Sequence, residues 1–113
     1  MATRIMLACL TAAMVVASAQ TAHAAGDALD GKRVAERWCS GCHLVGQRGR
    51  GGGGAPAFVA LANNPAKSER YLKTWITNPH PPMPNFNLSR RTVDDLVAYI
   101  LSLGQGKRAV PGK

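Results

Sequence analysis

Five consecutive residues, Cys39-Ser40-Gly41-Cys42-His43, constrain this chain more than any other feature in it. Two thiols about one helical turn apart, followed at once by an imidazole, form the C-x-x-C-H pattern of covalent haem attachment. Haem carries vinyl groups on neighbouring pyrroles, and thiols at this spacing reach both to form thioethers. The histidine directly after the second thiol then lies under the ring, where an imidazole nitrogen can bond the iron. Any other residue at position 43 would leave a generic thiol pair.

Three other uses of such a pair fit the sequence less well. A redox dithiol of the thioredoxin kind is carried by a strand-to-helix unit, and no strand pattern precedes Cys39. A structural zinc site needs four ligands. Outside the leader described next, the only cysteines and histidines are Cys39, Cys42, His43 and His80, and His43 is cramped beside Cys42. A plain disulfide would leave Gly41 and His43 without a role.

The first 24 residues read as a secretory signal peptide. A short positive head ending at Arg4 precedes an almost wholly apolar or small stretch, residues 5–19, and then Ala22-His23-Ala24 supplies a small-x-small exit for signal peptidase. The apolar stretch is short for a membrane span, which takes about 20 residues. Cleavage is expected after Ala24, with Ala17-Ser18-Ala19 as a second exit, and Cys9 comes too early in the apolar run to suit lipid attachment. Removal of residues 1–24 from the 113 leaves 89, as one domain over residues 25–113. Both remaining cysteines belong to the motif, and Met83 becomes the sole methionine. Of the 14 basic residues only Arg4 is lost, and none of the 6 acidic ones, so the mature net charge is +7. A chain of this size holds an apolar core that is only marginally sufficient, and a buried porphyrin would enlarge it.

The mature chain reads as helical throughout. Residues 27–43 form a first helix, capped by Asp27 or Asp30, with Val34, Ala35 and Trp38 on one face and Lys32, Arg33 and Arg37 on the other. Gly31 inside that helix costs roughly 1 kcal/mol against alanine, which a close crossing by another helix would explain. Residues 44–57 form a glycine-rich loop. Its literal G-x-G-x-x-G follows no strand, so a phosphate cradle is not expected, and an exported chain has little access to nucleic acid. The loop reads as flexible and solvated, with Pro56 and Phe58 at its end where the chain could turn back towards the His43 side of a haem. A short helix over 58–63 and a clearer one over 69–77, capped by Ser68, come next. Tyr71, Leu72, Trp75 and Ile76 form the apolar stripe of the latter, and Trp75 would face both core and haem. Asn78-Pro79 stops that helix. An extended, proline-stiffened strap follows, His80-Pro81-Pro82-Met83-Pro84-Asn85-Phe86. It carries Met83, the candidate second axial ligand, with His80 as the rival. Ser89 caps a last helix over 90–103, whose apolar face is Val93, Leu96, Val97, Ile100, Leu101 and Leu103, with Tyr99 near its edge and Gly104 at its end. Residues 105–113 form a frayed basic tail.

Taken together, Gly31, Cys39-Ser40-Gly41-Cys42-His43, Pro56, Asn78-Pro79, Met83-Pro84 and Asp95-Leu96-Val97-Ala98-Tyr99-Ile100 resemble the class I c-type cytochromes, of the small bacterial monohaem kind. The resemblance spans the mature chain. It implies an all-α cytochrome c fold around one covalently bound haem c, with the N- and C-terminal helices crossing near Gly31, Leu96 and Tyr99. It further implies thioethers at Cys39 and Cys42, His43 as proximal ligand, Met83 as distal ligand, and Pro56 as the residue whose carbonyl accepts a hydrogen bond from the proximal histidine. Two positions depart from the pattern: Ala35, where many relatives have an aromatic at the crossing, and Ala55, where glycine usually precedes the proline.

A haem iron ligated on both faces has no open position for a substrate. The expected function is therefore a soluble periplasmic one-electron carrier, monomeric, not an enzyme, and without a membrane span once the leader is removed. Its partners would be redox proteins with acidic docking surfaces, one a dehydrogenase-type donor and the other an oxidase or reductase. Lys32, Arg33, Arg37, Arg48, Arg50 and Lys73 are docking candidates, each of which could equally be a solvated surface charge. A gas-binding or peroxidatic haem is the alternative if Met83 is not ligated, and a permanent haem c subunit of an oxidoreductase complex is another.

Overall fold

Asp27 begins the first helix because its carboxylate accepts hydrogen bonds from the backbone N–H groups of Leu29 (2.8 Å) and Asp30 (3.2 Å), two donors that a helix start would otherwise leave unpaired. In the computed structural model, which describes residues 26–48, 52–78 and 80–104, helix α1 spans Ala28–Val34 and runs on as a π-helical segment, Ala35–Cys39. The expected single helix over 27–43 is thus shorter and changes pitch. Ser40 N–H bonds to Ala35 O (3.1 Å), five residues back, and the chain then leaves the helix so that Cys42 and His43 lie on a turn. The wider π turn sends Cys39 into the core and leaves Trp38, expected on the buried face, half exposed.

Three more α-helices follow among the described residues, with no strand among them: α2 (Phe58–Asn63), α3 (Glu69–Thr77) and α4 (Arg90–Ser102). Ser68 and Ser89 cap α3 and α4 by accepting from Tyr71 N–H (3.2 Å) and Thr92 N–H (3.1 Å), contacts that contribute about 1 kcal/mol each. The proposed leader over 1–24, the tail over 105–113, Arg50 and Pro79 lie outside the described residues. None of the described helices is long and apolar enough to cross a membrane.

The core sits where α1 and α4 cross. Gly31 is buried there, and a Cβ at this position would stand 1.9 Å from the backbone oxygen of Asp95, so only glycine lets the two backbones meet. The crossing expected at Gly31 is therefore present, and Ala35, the departure noted in the sequence, is fully buried one turn further on. Leu96, Val97 and Ile100 of α4 are fully buried with Val45, and each large apolar side chain so enclosed stabilises the fold by about 1.5–3 kcal/mol. Tyr99 is buried, not at the edge. Its hydroxyl donates to Val45 O (2.7 Å) and ties the segment after the cysteine motif to α4.

Asp95 does more than sit early in its helix. Its buried carboxylate accepts from Asp27 N–H (2.6 Å) and pairs with Arg91 Nε (3.4 Å), so α4 holds the residue that starts α1. On the opposite flank Lys73 of α3 reaches Glu69 (2.6 Å) and Asp94 of α4 (2.9 Å). Asp95→Ala is expected to lower stability by about 2 kcal/mol, because the part-buried Asp27 N–H loses a charged acceptor, and Asp95→Asn should lower it less. Guanidinium unfolding of the haem-loaded protein measures both.

Candidate functional site

The motif lies where the π-helical segment gives way to a turn, and backbone bonds fold that turn tightly: His43 N–H to Cys39 O (2.9 Å) and Cys42 N–H to Cys39 O (3.2 Å). Both thiols are free, Cys39 buried and Cys42 exposed. Burial pushes the Cys39 thiol up to about 11. A nucleophilic thiol needs the opposite, a lowered pKa, so Cys39 is not placed to serve as one. The zinc alternative fares no better, since no three His, Cys, Asp or Glu side chains among the described residues come together to hold a metal ion.

His43 is oriented from outside its own turn. Its Nδ1–H donates to the backbone oxygen of Pro56 (2.7 Å), and its ring packs against Phe58 with centroids 5.2 Å apart. A carbonyl only accepts, so Nδ1 carries a proton, and the neutral ring then has its lone pair on Nε2, the arrangement of a metal-ligating histidine. Pro56 is held in place by bonds on either side of it, Ala55 N–H to Cys42 O (3.2 Å) and Phe58 N–H to Leu44 O (2.9 Å). Alanine at position 55 makes its bond through the backbone and so serves as well as glycine.

The glycine loop is not merely solvated. Gly52 N–H donates to Ser40 O (2.7 Å), and a Cβ at Gly52 would stand 2.2 Å from the backbone oxygen of Gly41. One glycine of the run thus lies flat against the cysteine motif. Sequence reasoning missed it, since a run of glycines carries no mark of which one makes the contact.

Met83 and Trp75 belong to a second group with His80. The strap expected to be extended instead folds into a four-residue turn, closed by Met83 N–H to His80 O (2.9 Å), with a cis peptide between Pro81 and Pro82. Trp75 is half exposed rather than core, stacking on Tyr71 (5.8 Å) and meeting the His80 ring at 4.3 Å. Trp38, from the motif segment, packs on Phe86 of the strap (5.9 Å) and joins the two groups. Beneath the strap a cleft of 220 Å³ opens between Phe86, Leu88, Ile76 and Val93.

The donor set fits a haem. Two free thiols lie on one turn, an imidazole presents Nε2, and a thioether is carried on a closed turn. The large apolar side chains left exposed among the described residues, Trp38 (51%), Leu44 (37%) and Trp75 (49%), belong to the same segments. Exposed apolar surface beside candidate donors marks a ligand site.

Several docking candidates are already committed to other charges. Lys32 pairs with Glu36 (3.8 Å) and Arg33 with Asp30. The hydrogen bonds that Lys73 donates to Asp94 and then Glu69 hold its ammonium above the usual lysine range. Arg37 lies over the Trp38 ring (5.6 Å). Arg48 is exposed in the loop after the motif.

An all-helical chain with this donor set is a c-type cytochrome in architecture, and comparison with known proteins agrees. Residues 26–100 match the family described as cytochrome c oxidase, cbb3-type, subunit III. The chain is 40% identical over 91 residues to cytochrome c-552 of Bradyrhizobium diazoefficiens, an alignment covering 80% of this chain and 88% of that protein. No solved structure matches it. The chain belongs to this cytochrome family: it is a small, all-α c-type cytochrome that carries covalently bound haem c and serves electron transport.

Gly52→Ala is expected to lower the stability of the haem-loaded protein by about 1–3 kcal/mol, because the added carbon meets fixed backbone and not a flexible side chain. The denaturation midpoint followed by haem absorbance checks this.

Proposed function

We propose that this cytochrome is a periplasmic one-electron carrier whose haem is attached through Cys39 and Cys42 and ligated by His43 and Met83. Haem c supplies an iron that takes up and releases single electrons. The His43 tether to Pro56 O carries the proposal furthest, because it sets both ring orientation and tautomer for a metal bond. Pro56, through its carbonyl, keeps the imidazole a good donor. Met83 completes the set from the closed turn. A thioether together with an imidazole would raise the reduction potential, and a metal held by both His43 and Met83 would let the protein transfer electrons without binding a substrate there. Trp75, beside the strap, would cover one edge of the site. Export follows from the leader over residues 1–24.

The family description names an oxidase subunit, which favours a second use of the same centre, as a haem c subunit bound to an oxidoreductase complex. Co-purification with a larger partner separates that from a free carrier. A gas-binding or peroxidatic role would require Met83 to be off the iron.

One measurement tests most of this: absorption spectra of the exported protein, oxidised and reduced, with its intact mass. The mass should equal residues 25–113 plus one haem. The ferric spectrum should show the weak long-wavelength band of a sulfur–iron bond, and the reduced protein should not take up carbon monoxide at neutral pH. Ready carbon monoxide binding would assign the protein to the rival class.

The net charge of +7 on the mature chain, with Arg37 and Arg48 near the motif, suits partners with acidic docking surfaces. The second-order rate of electron exchange with such a partner should fall steeply as salt shortens the Debye length from about 30 Å at 0.01 M to about 8 Å at 0.15 M. A rate independent of salt would remove electrostatic docking.

A further inference from the structure

Both histidines among the described residues are held in the same way. His43 Nδ1–H donates to Pro56 O (2.7 Å), and His80 Nδ1–H donates to Asn78 O (2.8 Å). In the neutral form of each ring the lone pair therefore falls on Nε2. His80 is further positioned by the Trp75 ring, 4.3 Å away, and by the turn in which Met83 N–H closes on its own carbonyl (2.9 Å). Residues at the two ends of such a turn have Cα atoms within about 7 Å of each other. One short turn thus carries a thioether at one end and, at the other, an imidazole with its ligating nitrogen unassigned. The electron-carrier function gives His80 no task. Capping the end of α3 through Asn78 O is the plain structural alternative.

We propose that His80 is a reserve axial ligand, which takes the iron through Nε2 when the Met83 thioether leaves it. The iron–sulfur bond breaks and an iron–nitrogen bond forms. No electron is transferred, and the proton stays on Nδ1, donated to Asn78 O. The exchange needs a rearrangement of the 80–83 turn and leaves the α1–α4 crossing untouched. It favours the ferric state, since the thioether is the ligand that stabilises the reduced one. Its effect is protective: loss of Met83 yields a closed, low-potential centre, not an open one that binds gases or reacts with peroxide. The inference rests on Met83 being the resident ligand.

The test compares the ferric haem-loaded wild type with Met83→Ala and with Met83→Ala/His80→Ala. The wild type should show the sulfur–iron band. Met83→Ala should lose that band yet stay low-spin, and the double variant should turn high-spin. An internal ligand that occupies the iron about nine-tenths of the time weakens an external one about tenfold, so azide should bind Met83→Ala about tenfold more weakly than the double variant. A high-spin Met83→Ala with the azide affinity of the double variant would leave His80 a helix cap and overturn the proposal. A low-spin double variant would also overturn it, by assigning the site to another side chain. A wild type without the sulfur–iron band would overturn the Met83 ligation itself, which distinguishes the two failures. Met83→Leu, with and without His80→Ala, repeats the comparison with the apolar volume of the turn retained, so that poor folding of the alanine variant does not decide the result.

Discussion

The backbone-to-backbone contact of α1 and α4 at Gly31 is the constraint on which the remaining structure depends. With 1.9 Å between a would-be Cβ and Asp95 O, no side chain can stand between the helices, and their relative placement is set by peptide groups that cannot adapt. Asp95 reinforces the crossing by reaching past it to the N–H of Asp27. Since the cysteine motif begins at the far end of the same helical run, fixing α1 on α4 also fixes where Cys39 enters the core. Tyr99, one helical turn after Asp95, then takes hold of Val45 O just beyond the motif. The turn that carries the cysteine motif is thereby held at both ends by a single helix.

The segments between the helices are organised by backbone bonds more than by side chains. Gly52 lies on Ser40 and Gly41, Ala55 bonds to Cys42, and Phe58 bonds to Leu44, so the loop after the motif returns to it three times. Each bond is modest, about 0.5–1.5 kcal/mol net. Their collective result is to place one carbonyl, that of Pro56, against Nδ1 of His43. The 80–83 turn joins Met83 to His80, whose ring lies against Trp75. The first group holds one imidazole firmly, whereas the second carries a thioether and a second imidazole, and the proposed electron transfer and its protection would draw on that difference.

Much of the fold was legible because the sequence carries its own punctuation. Ser68 and Ser89 mark helix starts that the structure places one residue later, at Glu69 and Arg90, and the apolar spacing of Val93, Leu96, Val97 and Ile100 names the buried face of α4. The length of the first helix was not legible. Nothing in Ala35-Glu36-Arg37-Trp38-Cys39 announces a π turn, which arises when Cys39 is drawn into a core formed by distant residues. The strap misled for a related reason: prolines stiffen an extended chain and a turn alike, and only the bond from Met83 back to His80 decides between them.

The covalent chemistry of the site is a local matter, and the sequence by itself determined it. Two thiols and an imidazole at C-x-x-C-H spacing are the pattern of haem attachment whatever surrounds them, so haem c and the cytochrome class could be read from five residues and their context. The tertiary structure decided how those residues are held: which glycine lies against the motif, which carbonyl orients His43, which lysine is already paired, and that His80 stands beside Met83. Each of these depends on contacts between residues far apart in the chain or on the closure of a turn. One-dimensional spacing carries no information about either.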